Sequence, residues 1–285
     1  MNGVLVLDKP PGWTSHDVVA RVRGILKESS VGHLGTLDPL ATGVLPLVLG
    51  AATRLVQFTD FDKEYEAVCL LGRTTDSEDV TGKTLEEKDV SRLDPEAVRR
   101  SFLDLMNLKE QIPPMVSAVK KDGVKLYELA RAGRNVERKP RPVTIASVEL
   151  LSVEIPRVRF RVACSGGTYV RTLCRTAGEV LGCGGCMESL VRTRVGPYPL
   201  DVAFALDAPP DSWIIRPASD FLVSIPEVRL DEGSLERVCH GNPVPSDGAV
   251  TGWVRIMNAE GKLVAMAEGR DGELHPRKVF GPTGI

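Results

Sequence analysis

The chain lacks most of what a cofactor-dependent enzyme needs. Its 285 residues include only four histidines, none with a second histidine four positions on. No HExxH helix, EF-type loop or paired-carboxylate motif occurs, so metal binding is not expected. The Gly-x-Gly-x-x-Gly turn and the Walker phosphate loop are both missing, which disfavours nucleotide cofactors. Cys183-Gly-Gly-Cys186 has the spacing of half a zinc site or of a redox pair. No second CxxC or HxxxH accompanies it, so the six cysteines are expected as reduced, buried or half-exposed thiols. Val44–Leu49 is far shorter than the roughly 20 apolar residues of a membrane span, and nothing else comes close. The N-terminus has no basic region before its apolar run, unlike a secretory signal. A cytoplasmic protein without a membrane segment is expected, with its chemistry resting on side chains.

What is present is unevenly placed. A net charge of −2 hides an acidic stretch, 76–96, with eight acidic and three basic residues, and a basic one, 116–142, with eight basic and three acidic. A basic stretch inside a neutral protein suggests an element that faces a polyanion, although a solvated surface helix would look the same. The length suffices for one large or two unequal domains.

The stretch Gly32-His33-Leu34-Gly35-Thr36-Leu37-Asp38-Pro39-Leu40-Ala41-Thr42-Gly43 organises the reading. Its glycines allow backbone angles and close approaches that other residues resist. Pro39 fixes its own φ and pushes Asp38 toward an extended conformation. One carboxylate is thereby held on a stiff loop among small or apolar neighbours, a way to aim a nucleophile or base. A plain turn aspartate before proline has the same local sequence. The other candidates are Lys9 after the first strand, Tyr65 on an inner strand, and Tyr169 and Arg171 at a helix start. Only four tyrosines exist, and two fall here. Rings beside a carboxylate suit a planar substrate that must be stacked, and a nearby arginine would keep Asp38 ionised.

The hydrophobic pattern predicts strands at 3–7, 44–49, 64–71, 143–151, 157–164 and 187–195. It predicts helices from Thr14 or Ser15 to Leu26 and over 51–58, from an Asp94 cap to Leu105, and over 125–132 and 169–181. Strand 64–71 carries apolar residues on both faces beyond Glu66, so it is expected to be central and largely buried. Residues 120–123 suggest a turn, and 113–142 a projecting, mobile insertion. Residues 208–217 resemble a linker. Beyond them, a helix at 232–239 and strands at 250–257, 262–267 and 274–279 suit a small, mostly β module.

At this point the motifs carry a resemblance. The 32–43 loop is similar to the catalytic-loop signature of the TruB-type tRNA pseudouridine-55 synthases. Asp8-Lys9-Pro10-Pro11-Gly12-Trp13-Thr14-Ser15 resembles that family's N-terminal motif, and Lys63-Glu64-Tyr65-Glu66-Ala67 its tyrosine strand. Gln111 to Lys120 resembles the start of its thumb loop, Gly167 to Leu173 its arginine motif and Leu190 to Gly196 its late strand. These stand in family order over residues 3 to about 200. Leu34, Val116 and Val191 depart from the usual pattern; Val191 replaces a common Arg.

The resemblance implies an α/β (α+β) protein: a pseudouridine-synthase catalytic domain over 1–215 with a mixed, largely antiparallel sheet and a thumb-like insertion at about 113–142. A small C-terminal β-rich PUA-like RNA-binding domain would cover 216–285. It implies isomerisation of uridine 55 in the T-arm of tRNA by base flipping, without cofactor, metal or obligatory protein partner, by a monomer. The catalytic residues would be Asp38, the reacting carboxylate; Tyr65, which would stack on the uracil and assist proton transfer; and Arg171, which would pair with Asp38. His33, Tyr169 and Leu190 would shape the substrate pocket, and Lys9 would brace the loop. A tRNA-binding folding chaperone is the rival from another class. An RNA uracil methyltransferase lacks its cofactor loop.

Overall fold

The computed structural model describes residues 1–285 except 118, 122, 135 and 247–249; at 120, 121, 125, 127 and 131 only the backbone is described. The chain begins with β1 (Gly3–Lys9), α1 (Ser15–Leu26), β2 (Val31–His33) and β3 (Thr42–Leu49). A 3₁₀ stretch at Gly50–Phe58 leads to β4 (Lys63–Leu71) and the hairpin of β5 (Arg73–Thr75) and β6 (Thr84–Glu87). Then come α2 (Pro95–Leu103), β7 (Glu110–Gln111), β8 (Lys120–Lys121), β9 (Val124–Lys125), α3 (Leu126–Arg131) and β10 (Arg141–Pro142). The larger part of the chain closes with β11 (Ile145–Glu154), β12 (Arg157–Cys164), α4 (Val170–Val180), β13 (Gly185–Val195), β14 (Tyr198–Pro199) and β15 (Phe204–Ala205).

One sheet runs in the order β11-β12-β4-β13-β3-β1-β15, with β14 beside β13 and β2 beside β3. Its β13–β3 and β1–β15 pairings are parallel and the others antiparallel, which makes it the mixed, largely antiparallel sheet expected. Thr14 caps α1 reciprocally with Asp17, its side chain accepting from Asp17 N while Thr14 N donates to Asp17 Oδ2. Such a cap is worth about 1 kcal/mol.

Two-sided burial belongs to β1 and β3. Leu5, Leu7, Leu45 and Leu47 pack under Val18, Val19 and Val22 of α1. Val4, Val6, Val44 and Val48 face Leu55, Phe221 and Met266. Strand β4 is central and largely buried, as expected: Tyr65, Ala67, Cys69 and Leu71 are buried and its other residues are half-buried. On its other face Glu66 pairs with Arg159 and Arg161 of β12. A strand between two antiparallel neighbours can leave one face to water when ion pairs cover it.

Residues 208–217 are not a loose linker. Trp213 is buried in the α1 core, and Val4 and Arg216 exchange backbone hydrogen bonds at 2.9 and 2.8 Å. The C-terminal β unit follows. It holds β16 (Glu227–Arg229), α5 (Glu232–Cys239), β17 (Val244–Pro245), β18 (Gly252–Met257), β19 (Leu263–Arg270) and β20 (Glu273–Val279). Its five strands order β16-β18-β19-β20-β17. Met257, Leu263 and Met266 share a core with Val4 and Val44, so this unit is packed against the large sheet.

The insertion is tied down rather than simply projecting. Strands β7 and β10 pair at its base, and Arg138 donates to Pro113 O at 3.0 Å. Asp122 of the expected turn lies outside the described residues; β8 and β9 pair on either side of it. Five cysteines are buried free thiols, Cys183 and Cys186 among them, and Cys239 is half-buried. No helix among the described residues is long and apolar enough to cross a membrane.

Candidate active site

Every backbone carbonyl from Gly35 to Pro39 has a donor. Arg192, fully buried, sends Nη2 to Gly35 O (3.0 Å), Nη1 to Thr36 O (3.2 Å) and Nε to Val44 O (2.7 Å). Ser15 Oγ donates to Leu37 O (3.2 Å) and accepts from Leu37 N (2.9 Å). Asp38 O accepts from Ala41 N (3.0 Å) and Pro39 O from Gly12 N (2.8 Å). Lys9 Nζ, equally buried, reaches Pro10 O (2.9 Å), Trp13 O (2.7 Å) and Pro39 O (3.4 Å). Burial pulls the Lys9 ammonium down to about 8, because a charge is penalised where water is excluded. The Asp38 backbone is therefore fixed from three directions by side chains distant in sequence.

Sheet register makes room for this clamp. Arg192 lies opposite Tyr65 on β4 and beside Gly43 on β3. Gly43 has φ +99°, and a Cβ there would run into the Arg192 backbone. Its N–H donates to Asp8 Oδ1 at 3.1 Å. Glycine at this position is thus a packing requirement.

Asp38 meets Arg171, the second residue of α4. Arg171 Nη2 donates to Oδ1 at 3.2 Å, and Nε lies 2.9 Å from Oδ2 as an off-line ion contact. The guanidinium is itself buried. Its Nη1 donates to Ser77 O (2.8 Å) and lies 3.8 Å from Asp79 Oδ2, and its Nη2 also donates to Val116 O (2.9 Å). Burial raises the Asp38 carboxyl above its usual range; Arg171 opposes the rise and Asp79 adds to it. Asp79 is held in turn by Ser77 Oγ (2.8 Å) and Thr81 N (3.0 Å). Beside it, Glu78 accepts from Thr172 Oγ1 at 2.7 Å.

The two tyrosines flank this pair. Tyr65 is buried, in hydrogen-bonding contact with Arg192, and burial raises its phenol. Tyr169 caps α4, and Gln111 grips its backbone at both ends, Nε2 to Tyr169 O (3.1 Å) and Tyr169 N to Oε1 (2.9 Å). Burial raises its phenol too, with Ser117 and Arg171 opposing. Leu190 joins Leu37 and Tyr65 in the core below. His33 stands apart from Arg171. Its Nδ1 accepts from Gly35 N at 3.3 Å, and its ring meets His16 edge-on at 6.0 Å. Burial holds its imidazole down to about 4, so it is neutral at physiological pH.

A cleft of about 1010 Å³ opens above the carboxylate. Asp38, Asp76, Glu78 and Glu179 supply its acids and Arg134, Arg138 and Arg175 its bases; Met115, Val116 and Ser117 reach into it from the insertion. His16, rather than His33, is among its lining residues. The candidates therefore converge: Asp38 and Arg171 in direct contact, Tyr169 at the start of the same helix, Tyr65 through Arg192, and Lys9 through the loop backbone. No group of acidic, histidine and cysteine side chains among the described residues could hold a metal ion. A half-exposed carboxylate paired with a buried guanidinium, with two phenols nearby, can attack or deprotonate a planar substrate.

The chain matches the TruB family pseudouridylate synthase N-terminal domain over residues 23–170. It also matches a tRNA pseudouridylate synthase B C-terminal domain over 171–211 and a pseudouridine synthase II TruB C-terminal region over 226–280. It is 42% identical to the tRNA pseudouridine synthase B of Thermobifida fusca, across 98% of both chains. The corresponding Burkholderia mallei protein is equally similar, with 98% of this chain and 97% of that one covered. The chain belongs to the TruB family.

TruB proteins are pseudouridylate synthases, which are isomerases. The fold agrees with solved structures of relatives. Superposition on a Cbf5–Nop10–Gar1 complex gives a TM-score of 0.74 at 30% identity, covering 98% of this chain and 85% of that one. An H/ACA ribonucleoprotein bound to a substrate RNA containing 2′-deoxyuridine gives 0.71 at 27% identity, with 98% and 85% covered. Like them, this TruB chain joins a large mixed sheet to a C-terminal β unit.

Several residues of the site escaped the sequence reading. Asp79, Ser77 and Glu78 lie in a stretch whose polarity reads as solvated loop, yet all three are buried. Gln111 and Ser15 carry no chemical signature of their own. Arg192 stood within a recognised motif, but nothing in a strand sequence says that an arginine points inward.

Proposed function

We propose that this protein converts uridine 55 in the T-arm of tRNA to pseudouridine, with Asp38 as the reacting carboxylate. The observation that carries the reading is the Asp38–Arg171 pair at the base of the cleft. Relatives at 42% identity are tRNA pseudouridine synthases, which supports tRNA as substrate here. The isomerisation breaks the N1–C1′ bond, turns the base and forms a C5–C1′ bond. Attack at C1′, attack at C6, and removal of the C2′ proton on a glycal route all use the same ionised oxygen, and Arg171 favours that ionised form.

The target base is hidden by stacking in the folded tRNA and must be turned out into the cleft. Tyr65 then offers a ring to stack on the uracil, with Leu190 beneath it and Tyr169 at the other side. Tyr65 is buried in the free protein, so the site opens locally for the nucleotide to reach its ring. Residues 1–215 carry the chemistry. Residues 216–285 hold RNA, and the basic residues of 113–142 close on phosphates. Mapping of pseudouridines in unmodified tRNA treated with the pure protein tests this. Modification confined to position 55 is expected; modification elsewhere with none at 55 would overturn the assignment.

A further inference from the structure

Among the described residues of the cleft wall, only Glu78 combines a side chain with a left-handed backbone, φ +64°. That conformation is disfavoured for any residue with a Cβ, and glycine is its usual occupant. Glu78 lies in the 76–83 loop between β5 and β6, buried against α4. Ser77 O belongs to the peptide group that precedes it, so the Glu78 φ sets the direction of that carbonyl. The two carbonyls diverge: Ser77 O accepts from Arg171 Nη1 at 2.8 Å, and Glu78 O accepts from Met187 N at 2.9 Å. The side chain adds a second hold. Its Oε2 accepts from Oγ1 of the buried Thr172 at 2.7 Å, and its Oε1 lies 3.4 Å from Arg175 Nε. Both carboxylate oxygens are spent on α4. Arg175 keeps a second acid, Glu179 at 3.7 Å, so the Thr172 contact is the one without a substitute.

That end of α4 needs holding. Tyr169 at its N-cap makes no side-chain cap bond, and the first turn of a helix without one is held only weakly. Arg171 and Thr172 are the second and third residues of the helix. Fraying or rotation there carries the Arg171 fork off both Asp38 oxygens. We propose that Glu78 is a positioning residue: its carboxylate holds the first turn of α4 through Thr172, and its backbone turns Ser77 O onto Arg171, so that the guanidinium meets Asp38. This rests on the reading of Asp38 and Arg171 as the reacting pair. One sign separates the role from a plain field effect. Beyond burial, the charges acting most on Asp38 are Arg171 of α4, Asp79 of the acidic loop and Lys9 of β1. Removing a further negative charge at 78 would by itself favour ionised Asp38 and move the acid limb of the pH–rate profile down. Loosening Arg171 moves it up.

The test uses the full chain and unmodified tRNA carrying C5-tritiated uridine. Asp38→Asn is run alongside; if it releases tritium at the wild-type rate, the reacting-pair reading fails, separately from this one. Glu78→Ala is expected to lower kcat at least about tenfold with KM changed less, the scale of a small misplacement of a reacting group. Its acid limb is expected at higher pH. Thr172→Val removes no charge and is expected to act in the same direction on both readouts; it decides the matter should Glu78→Ala fail to fold. Glu78→Gln, which keeps an acceptor for Thr172 Oγ1, is expected to recover most of the lost kcat. In an Arg171→Lys background, Glu78→Ala is expected to cost less than about threefold further, because both changes disturb the same contact. Wild-type kcat in Glu78→Ala and Thr172→Val, an acid limb at lower pH in Glu78→Ala, or losses that multiply with Arg171→Lys would overturn the role. So would a raised KM at wild-type kcat, which would make Glu78 a contact to the RNA instead.

Discussion

Arg171 contacts Asp38 across 133 residues of sequence, with two of its nitrogens near the two carboxylate oxygens. The same guanidinium reaches Ser77 O and Val116 O, so its position is fixed from the acidic loop and from the insertion at once. Lysine offers a single point charge and cannot reproduce this fork. Arg171→Lys is expected to lower kcat by about 10²-fold or more, the scale of losing one aimed donor. It also weakens the stronger of the two cations, Arg171 and Lys9, that hold the Asp38 carboxyl down, so the acid limb of the pH–rate profile should move to higher pH. A variant with wild-type kcat and an unmoved acid limb would remove Arg171 from the mechanism.

The clamp on the loop gives a second expectation. Arg192→Met leaves the carbonyls of Gly35, Thr36 and Val44 without donors, at about 1–3 kcal/mol for each one left buried. A stability loss of roughly 3 kcal/mol or more should appear in denaturant unfolding. Ser15→Ala removes one donor and should cost about 1 kcal/mol while lowering kcat more than it raises KM. If Ser15→Ala alters neither stability nor kcat, the loop is not held as described.

This clamp is also where sequence reading reached its limit. Gly35, Gly43 and Pro39 signalled a stiff loop, and the hydrophobic pattern placed α1 from Ser15 to Leu26. The stiffness itself comes from Lys9, Ser15 and Arg192, which arrive from other elements. A charged residue that ends up fully buried looks, in sequence, the same as one on the surface. On the second face of β4, Glu66 pairs with Arg159 and Arg161 of β12, and apolar periodicity does not register such ion pairs. The 208–217 segment read as a linker because of its prolines, yet Trp213 and Arg216 anchor it to the sheet.

Histidine 33 gives a pH dependence of stability. Its folded value of about 4 lies below the ordinary 6.5. Between those values the unfolded chain takes up a proton that the folded chain does not, so stability falls as pH drops from 6.5 toward 4 and is unaffected by this group above 6.5. His33→Gln should therefore flatten the fall in melting temperature over that interval. Parallel profiles for the two proteins would show that His33 does not carry the effect.

The insertion bears on RNA affinity. Arg134 and Arg138 line the cleft, and Arg138 is also tied to Pro113 O. Arg134, Lys139 and Arg141 are exposed. Changing these three to glutamine should weaken tRNA binding and reduce the slope of log Kd against log salt by about one for each phosphate no longer neutralised. An unchanged slope would return this segment to ordinary surface.

The carboxylate itself allows the most direct test, because its roles in stability and catalysis have opposite signs. Its folded pKa is raised above 3.8, so the folded chain holds that proton more tightly than the unfolded one and ionisation at neutral pH costs stability. Asp38→Asn should melt no lower than the wild type and still bind tRNA. Tritium release from tRNA labelled at C5 of uridine should fall by at least about a thousandfold, ~4 kcal/mol of barrier. Release at the wild-type rate by this variant, with mass spectrometry showing that the introduced amide has not hydrolysed back to a carboxylate, would contradict the assignment of Asp38 as the reacting group.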